Sequence, residues 1–296
     1  MFYRLRRHVS YTLFRAMCGA VVDTPPIAIE PNGPLILSMV NDRDYVPYLI
    51  AAKSLYLRLR CGRFHVIDDG TLTPAQYEGL RYHLGAKIES IGEIRMGPTP
   101  RGGTWERLIR IADLADESYV IQMDSDTLTV GPIEEVLNAI SADASFTLIT
   151  HPNTSYCSVA EACAVARADP ATDIHTVAEQ ILDRLGDAGT TRYVHGCSGF
   201  AGFARGSIDR SEVYRVSQIM EASLGARWHE WGSEQVTSNY IVSNSPRVAT
   251  IPYPKYRNYD AEQIGPETAF IHFIGTNRFR NGYYRRRARD EIRNFA

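Results

Sequence analysis

Ser118-Tyr119-Val120-Ile121-Gln122-Met123-Asp124-Ser125-Asp126 decides the fold class. An apolar run of strand length ends abruptly in two carboxylates at i and i+2. Short apolar runs bounded by polar residues mark strands buried on both faces, as in a parallel sheet covered by helices. The flanking sequence agrees. Residues 34–40, PLILSMV, read as a buried strand after Pro-Asn-Gly, and 44–60 as a helix with Pro47 in its first turn. Residues 64–70 read as a second strand ending in Asp68-Asp69-Gly70, and 73–85 as a helix from Thr73, its N-cap, to Gly85. Further on, 104–115, 132–140, 209–225 and 233–242 have helical spacing, and 158–186 is Ala-rich and helical in pattern. Strands are expected at 145–150 and 269–275, with a Gly-dense stretch at 193–206. Alternating strands and helices predict an α/β fold with a mainly parallel central sheet. The spare length lies between strands. That favours one elaborated domain over 31–276, with a basic arm and linker at 1–30 and a basic tail at 277–296.

The chain has 296 residues, 44% hydrophobic and 22% charged. Such a composition excludes a disordered chain, a collagen or a coiled coil. No run of 18 apolar residues occurs, so no transmembrane helix is expected. The net charge of −2 argues against a general polyanion binder, and nucleic acid is not an expected partner. The five cysteines include no CxxC pair, so free thiols in a reducing, cytoplasmic compartment are expected rather than a disulfide framework or a zinc site. Only Lys53, Lys87 and Lys255 stand among 32 cationic side chains, a bias typical of GC-rich bacterial coding.

Residues 1–20 interleave Arg4, Arg6, Arg7 and Arg15 with Phe2, Leu5, Val9, Leu13, Phe14 and Met17. Arg15 interrupts what a signal peptide would need as its apolar centre. A terminal helix docked on the domain explains the pattern; so does a basic amphipathic helix resting on the inner face of an anionic membrane. The tail repeats the choice. Arg285, Arg286, Arg287 and Arg289, beside Tyr283 and Tyr284, either face solvent paired with Asp290 and Glu291 or meet an anionic surface.

Four constellations can carry chemistry. Asp124 and Asp126 follow a buried strand, the place where open α/β sheets bind ligands, and two carboxylates there suit a hard cation such as Mg²⁺ or Mn²⁺. The plain alternative is an Asx turn. His272 ends a late apolar run and can complete a metal shell, with Gly275 and Arg278 beyond it suited to a phosphate; alone, it would read as a core histidine. Glu234, Gln235 and Asn239 open a helix that Ser233 would cap. Asp42 and Tyr45 follow the first strand, where a carboxylate and an aromatic ring can hold a nucleobase; an acidic helix start explains them equally.

In this order the islands resemble the GT-A-fold glycosyltransferases, in particular the retaining family of glycogenin and the bacterial lipopolysaccharide galactosyltransferases. Asp42/Tyr45, Trp105-Glu106-Arg107-Leu108, Asp124-Ser125-Asp126, Glu234-Gln235 with Asn239, and His272-x-x-Gly275-x-x-Arg278 span roughly 35–280. The resemblance implies that Asp124, Asp126 and His272 bind Mn²⁺ or Mg²⁺. It places Tyr45 on uracil, Arg107 at the nucleotide or donor, Gly275 and Arg278 at the diphosphate, and Gln235, with Glu234, at the anomeric carbon. The implied partners are a UDP-sugar and a glycan or glycolipid acceptor. The chain departs from the family where Arg278-Phe279-Arg280 replaces Lys-Pro-Trp, Glu234 replaces Asp, and Cys197-Ser198-Gly199 replaces Asn-x-Gly. Asp68-Asp69-Gly70 resembles a motif of inverting GT-A enzymes, so inversion stays open. A haloacid-dehalogenase-type phosphatase would need a downstream lysine followed by an acidic pair. Only Lys255 lies downstream, without such a pair. A non-catalytic nucleotide-sugar binder would have little need of a metal shell.

Overall fold

The computed structural model describes residues 2–262 and 264–295; of residues 2–8 it describes the helical backbone. Phe2, Arg4, Leu5, Arg6 and Arg7 therefore lie outside the described side chains. Helix α1 (Phe2–Cys18) precedes β1 (Leu35–Val40), α2 (Tyr45–Leu59), β2 (Arg63–Asp68), α3 (Pro74–Leu84) and β3 (Lys87–Ser90). Then come α4 (Trp105–Leu114), β4 (Val120–Met123), β5 (Thr127–Thr129), α5 (Glu134–Ser141) and β6 (Phe146–Ile149). They are followed by β7 (Cys157–Ser158), α6 (Val159–Ala168), α7 (Ile174–Glu179), β8 (Arg192–Tyr193), β9 (Gly196–Phe203), α8 (Arg210–Leu224) and α9 (Ser233–Ser243). Last are β10 (Tyr256–Asn258), β11 (Phe270–His272) and α10 (Tyr283–Ile292). The architecture is mixed α/β with a central, mostly parallel sheet, as the strand and helix alternation predicts. All five cysteines are free thiols.

The chain divides into two compact units. The first takes residues 1–90, 123–134 and 254–296, and so contains both termini; the second takes 91–122 and 135–253.

In the first unit β1 pairs in parallel with β2, and β2 with β3, joined by α2 and α3. The helices start and stop for local reasons. The Thr73 side chain accepts from Gln76 N while the Gln76 side chain caps Thr73 N, and Gly85 ends α3 at φ 55°, where a side chain would be strained. Asp44 occupies the N-cap of α2 yet makes no side-chain capping bond, because its carboxylate is used elsewhere. Asp68, buried at the end of β2, accepts from Gly70 N at 2.9 Å, Leu72 N at 3.1 Å and the Tyr77 hydroxyl at 2.8 Å. The Asp68-Asp69-Gly70 run thus shapes a loop. A second sheet, in the order β10-β11-β5, carries the late strand. Helix α1 packs on α10: the Phe14 and Tyr284 rings are 4.4 Å apart, and the buried Cys18 thiol donates to the Arg285 carbonyl.

In the second unit β9 lies between β4 and β6 and runs antiparallel to β6. The expected helix over 158–186 breaks into α6 and α7. Pro170 disfavours helical geometry at Asp169, and the Asp173 side chain caps the restart by accepting from His175 N and Thr176 N. Ser233 is the first residue of α9 rather than its cap. Gly232, at φ 103°, takes the cap position, and the Ser233 hydroxyl accepts from Trp105 Nε1 at 2.9 Å.

Here Asp113 forms a two-pronged pair with Arg210, Nη2 to Oδ2 at 2.7 Å and Nε to Oδ1. Burial alone would raise the Asp113 pKa, but Arg210 and Arg110 outweigh it and hold the carboxyl below its usual range. A depressed folded-state pKa stabilises above the unfolded value, near about 3.9, and the gain disappears as pH falls through the folded value. Asp113→Asn should therefore cost about 1–2 kcal/mol at pH 7 and progressively less below pH ~4. Urea midpoints of both chains at pH 7 and pH 3 measure this; an equal gap at the two pH values would refute it.

Candidate functional site

The first unit brings Asp124, Asp126 and His272 together. Their ligand atoms lie within 4.8 Å of one another, the only such grouping among the described residues. Strand register is the cause. Strand β5 runs antiparallel to β11 with Thr127 opposite His272, and Phe273 N donates to Asp126 O at 2.8 Å, so the turn after β4 is tied to the end of β11. On the other side of β11, β10 places Asn258 beside His272. Asn258 Oδ1 lies 2.9 Å from His272 Nδ1. An amide oxygen can only accept, so the bond puts the proton on Nδ1. The Nε2 lone pair then faces the carboxylates, at 3.5 Å from Asp124 and 3.3 Å from Asp126. Two carboxylates and an imidazole fixed in its ligating tautomer form a donor set that fits Mn²⁺ or Mg²⁺.

Arg278 closes this cluster. Its Nη2 donates to Asp126 Oδ2, its Nη1 to Asp44 Oδ1 at 3.2 Å and to the Tyr11 hydroxyl, and its Nε to the Phe273 carbonyl at 3.2 Å. The guanidinium also lies over the Tyr11 ring, 5.5 Å from its centroid. Burial pushes the Asp126 carboxyl up, but the Arg278 guanidinium outweighs that and holds it below its usual value. Asp44 ends above its usual value, because burial exceeds what Arg278 takes back. Gly275, the predicted phosphate residue, sits at φ 56° with open space where a side chain would stand.

Asp42 and Tyr45 lie at the start of α2 in the same unit. The Asp42 carbonyl accepts from Gln76 Nε2 at 2.8 Å, and its N–H donates to Thr71 Oγ1 at 2.9 Å. Tyr45 is half-buried, and its hydroxyl lies where a Cβ on residue 79 would stand, so a side chain at Gly79 would displace the ring.

Arg107, Glu234 and Gln235 belong to the second unit. Arg107 and Glu234 are buried, with Arg107 Nη2 3.5 Å from Glu234 Oε1. The same Arg107 nitrogen and Gln122 Nε2 reach the Ser198 carbonyl. Gln235 is half-buried, and its Oε1 accepts from Ser198 N at 3.1 Å, which turns the amide NH₂ away from that contact. Asn239 supports the same place: its Nδ2 donates to Gly196 O at 2.9 Å. The Cys197-Ser198-Gly199 segment, a departure from the family motif, is therefore what positions Gln235.

Sequence reasoning did not single out Tyr11 or Asn258, nor assign Asp44 a role. Asp44 falls inside the Asp42–Tyr45 island, but an acidic residue at a helix start explains itself, and Tyr11 and Asn258 carry no local pattern.

Neither a protein-family model nor a curated protein sequence matches the chain. Among solved structures, the bifunctional glycosyltransferase WbbM, in its apo form, has a TM-score of 0.53 at 12% identity, over 92% of this chain and 51% of that one. The chain thus spans about half the length of WbbM. Looser likenesses are the galactosyltransferase LgtC in complex with donor and acceptor sugar analogs (TM-score 0.43, 13% identity, 88% of this chain and 95% of that one) and mouse xyloside xylosyltransferase 1 (TM-score 0.44, 12% identity, 83% and 97%). The fold is that of the GT-A glycosyltransferases.

Proposed function

We propose that the chain is a divalent-metal-dependent glycosyltransferase that moves a hexose from a UDP-sugar to a glycan or glycolipid acceptor with retention. One observation carries this reading: Asp124, Asp126 and a tautomer-fixed His272 converge beyond a sheet strand, beside Arg278. The fold shared with WbbM supports it. A divalent cation held by the three side chains would neutralise charge developing on the leaving diphosphate.

The chain's own residues supply the rest. Arg278 would bring a planar, permanently charged fork to phosphate oxygens in exchange for part of its contacts with Asp126 and Asp44. Gly275 lets backbone approach them without a side chain in the way. Tyr45 offers a ring to uracil, and Asp42 a carboxylate to the base. Within the second unit, Glu234 neutralises Arg107, the residue the resemblance gives to the donor, and Gln235 has an amide suited to the sugar. A neutral amide stabilises a positively charged anomeric carbon without trapping it.

Membrane contact belongs to the same proposal. Val9, Leu13 and Met17, at i, i+4 and i+8 on α1, are all exposed, while Phe14 and Cys18 face α10. No helix among the described residues is long and apolar enough to cross a bilayer. An exposed apolar stripe, on a chain whose Arg15, Arg286 and Arg289 are exposed as well, suits the surface of an anionic bilayer. Of the tail's predicted ion pairs, Asp290 takes Arg293 at 2.9 Å, whereas Glu291 is held by Arg58 at 2.7 Å.

Gln235→Ala should lower kcat by about 10- to 100-fold with little change in KM for the donor, as for an interaction made mainly in the transition state. NMR of the first-formed product gives the anomer; a β product from an α-linked donor would sink retention.

A further inference from the structure

We infer that the second unit holds a separate binding site for a neutral sugar unit, organised by His195 and Glu179. A cavity of about 630 Å³ opens between the 151–157 segment, α6, α7 and β8, within the range of ligand sites. Its base is built. Glu179 is buried, and a single carboxylate oxygen, Oε1, accepts from the Tyr193 hydroxyl at 2.7 Å and faces His195 Nδ1 at 2.7 Å. With Nδ1 committed to a carboxylate, the imidazole is held in one orientation, and Nε2 is its remaining polar atom. The bond to Glu179 also raises the His195 pKa, strengthening the pair.

The lining selects the ligand class. It contains no lysine or arginine among the described residues, while Glu161 and Asp169 add carboxylates, so phosphates and nucleotides are disfavoured. These acidic groups do not converge as metal ligands, since among the described residues only Asp124, Asp126 and His272 do so. An apolar ligand would cover the Glu179–His195 pair and offer the imidazole Nε2 no polar partner. A polyhydroxyl ring matches all of these. Its hydroxyls donate to carboxylates and accept from Asn153 and His195, and its C–H face can rest on Ala162 and the exposed Val165. The inference does not depend on the transferase reading.

Saturation-transfer NMR of the full chain, without metal or nucleotide, with the methyl glycosides of galactose, glucose, mannose and N-acetylglucosamine tests it. At least one glycoside should show ring-proton transfer. His195→Ala and the cavity-filling Ala162→Trp, with circular dichroism unchanged, should weaken it at least tenfold, and Asp126→Asn should leave it intact. UDP and inorganic phosphate should not displace the bound glycoside. Transfer to none of the four, transfer undiminished in Ala162→Trp, or loss of transfer in Asp126→Asn would overturn the site.

Discussion

Asp126→Asn and His272→Ala should each reduce sugar transfer by about 10³-fold or more while the fold persists. Charge stabilisation by a bound cation is worth several kcal/mol, and each ~1.4 kcal/mol is tenfold in rate. Asp126 is 3% exposed and His272 2%, so neither is replaced by a nearby water-borne group. The two substitutions should differ in one respect. His272→Ala removes a ligand and leaves Asp126 paired with Arg278. Asp126→Asn removes a ligand and half of that ion pair, so its melting temperature should fall further. Asn258→Ala should act through His272. Without an acceptor for Nδ1 the imidazole loses its fixed tautomer, and Mn²⁺ affinity should drop about 10- to 100-fold, the usual range for a ligand-orienting partner. Electron paramagnetic resonance of free Mn²⁺ measures binding without turnover. Wild-type transfer that survives EDTA, or full activity of both ligand variants, would remove the metal from the proposal.

The parts of this site that the sequence shows are those made by neighbours in the chain. Val120–Met123 followed by Asp124 and Asp126 is a local pattern, and so is Phe270–His272 followed by Gly275 and Arg278. Both survive as strand and turn because burial and strand length are encoded within a few residues. Thr73 and Gly85 bound α3 for the same reason. What the sequence hides is long-range. Arg278 meets Asp44 and Tyr11 across 234 and 267 positions, and only the packing of α1 and α10 brings the last pair together. Asn258 is a residue of a three-residue strand whose value lies in its register against β11. One miss was avoidable. The Asp169-Pro170 pair within 158–186 carries its own signal to end a helix, which alanine content outweighed. Asp68-Asp69-Gly70 carries a second, local role that its pattern does not reveal: Asp68 shapes the loop after β2 by accepting from Gly70 N, Leu72 N and the Tyr77 hydroxyl.

Arg278→Ala should be the most damaging single change outside the metal ligands, and α1 should share in its effect. The guanidinium spans Asp126, Asp44, Tyr11 and the Phe273 carbonyl, so truncation leaves two buried carboxylates uncompensated, a loss of about 3–5 kcal/mol. Arg278→Lys retains the charge and loses the fork. That variant should stay folded and bind UDP in the presence of Mn²⁺ about 10- to 150-fold more weakly, by the ~1.5–3 kcal/mol of a charge-assisted bond. Tyr11 then predicts something a mere anchor would not. Its ring also packs edge-on to Phe279 at 4.8 Å, and Phe14 covers Tyr284, so α1 holds the Arg278 turn from one side. Tyr11→Ala, and removal of residues 1–20, should weaken UDP–Mn²⁺ binding by about 10-fold as well as reduce salt-sensitive partition to anionic vesicles. Tyr11→Phe, which keeps the ring and drops the hydroxyl, should lie between. Isothermal titration with UDP and Mn²⁺, alongside co-sedimentation with anionic and neutral vesicles, separates the two contributions. A truncated chain that binds nucleotide as the full chain does, and fails only to partition, would confine α1 to the membrane and leave Arg278 held by Asp44, Asp126 and the Phe273 carbonyl.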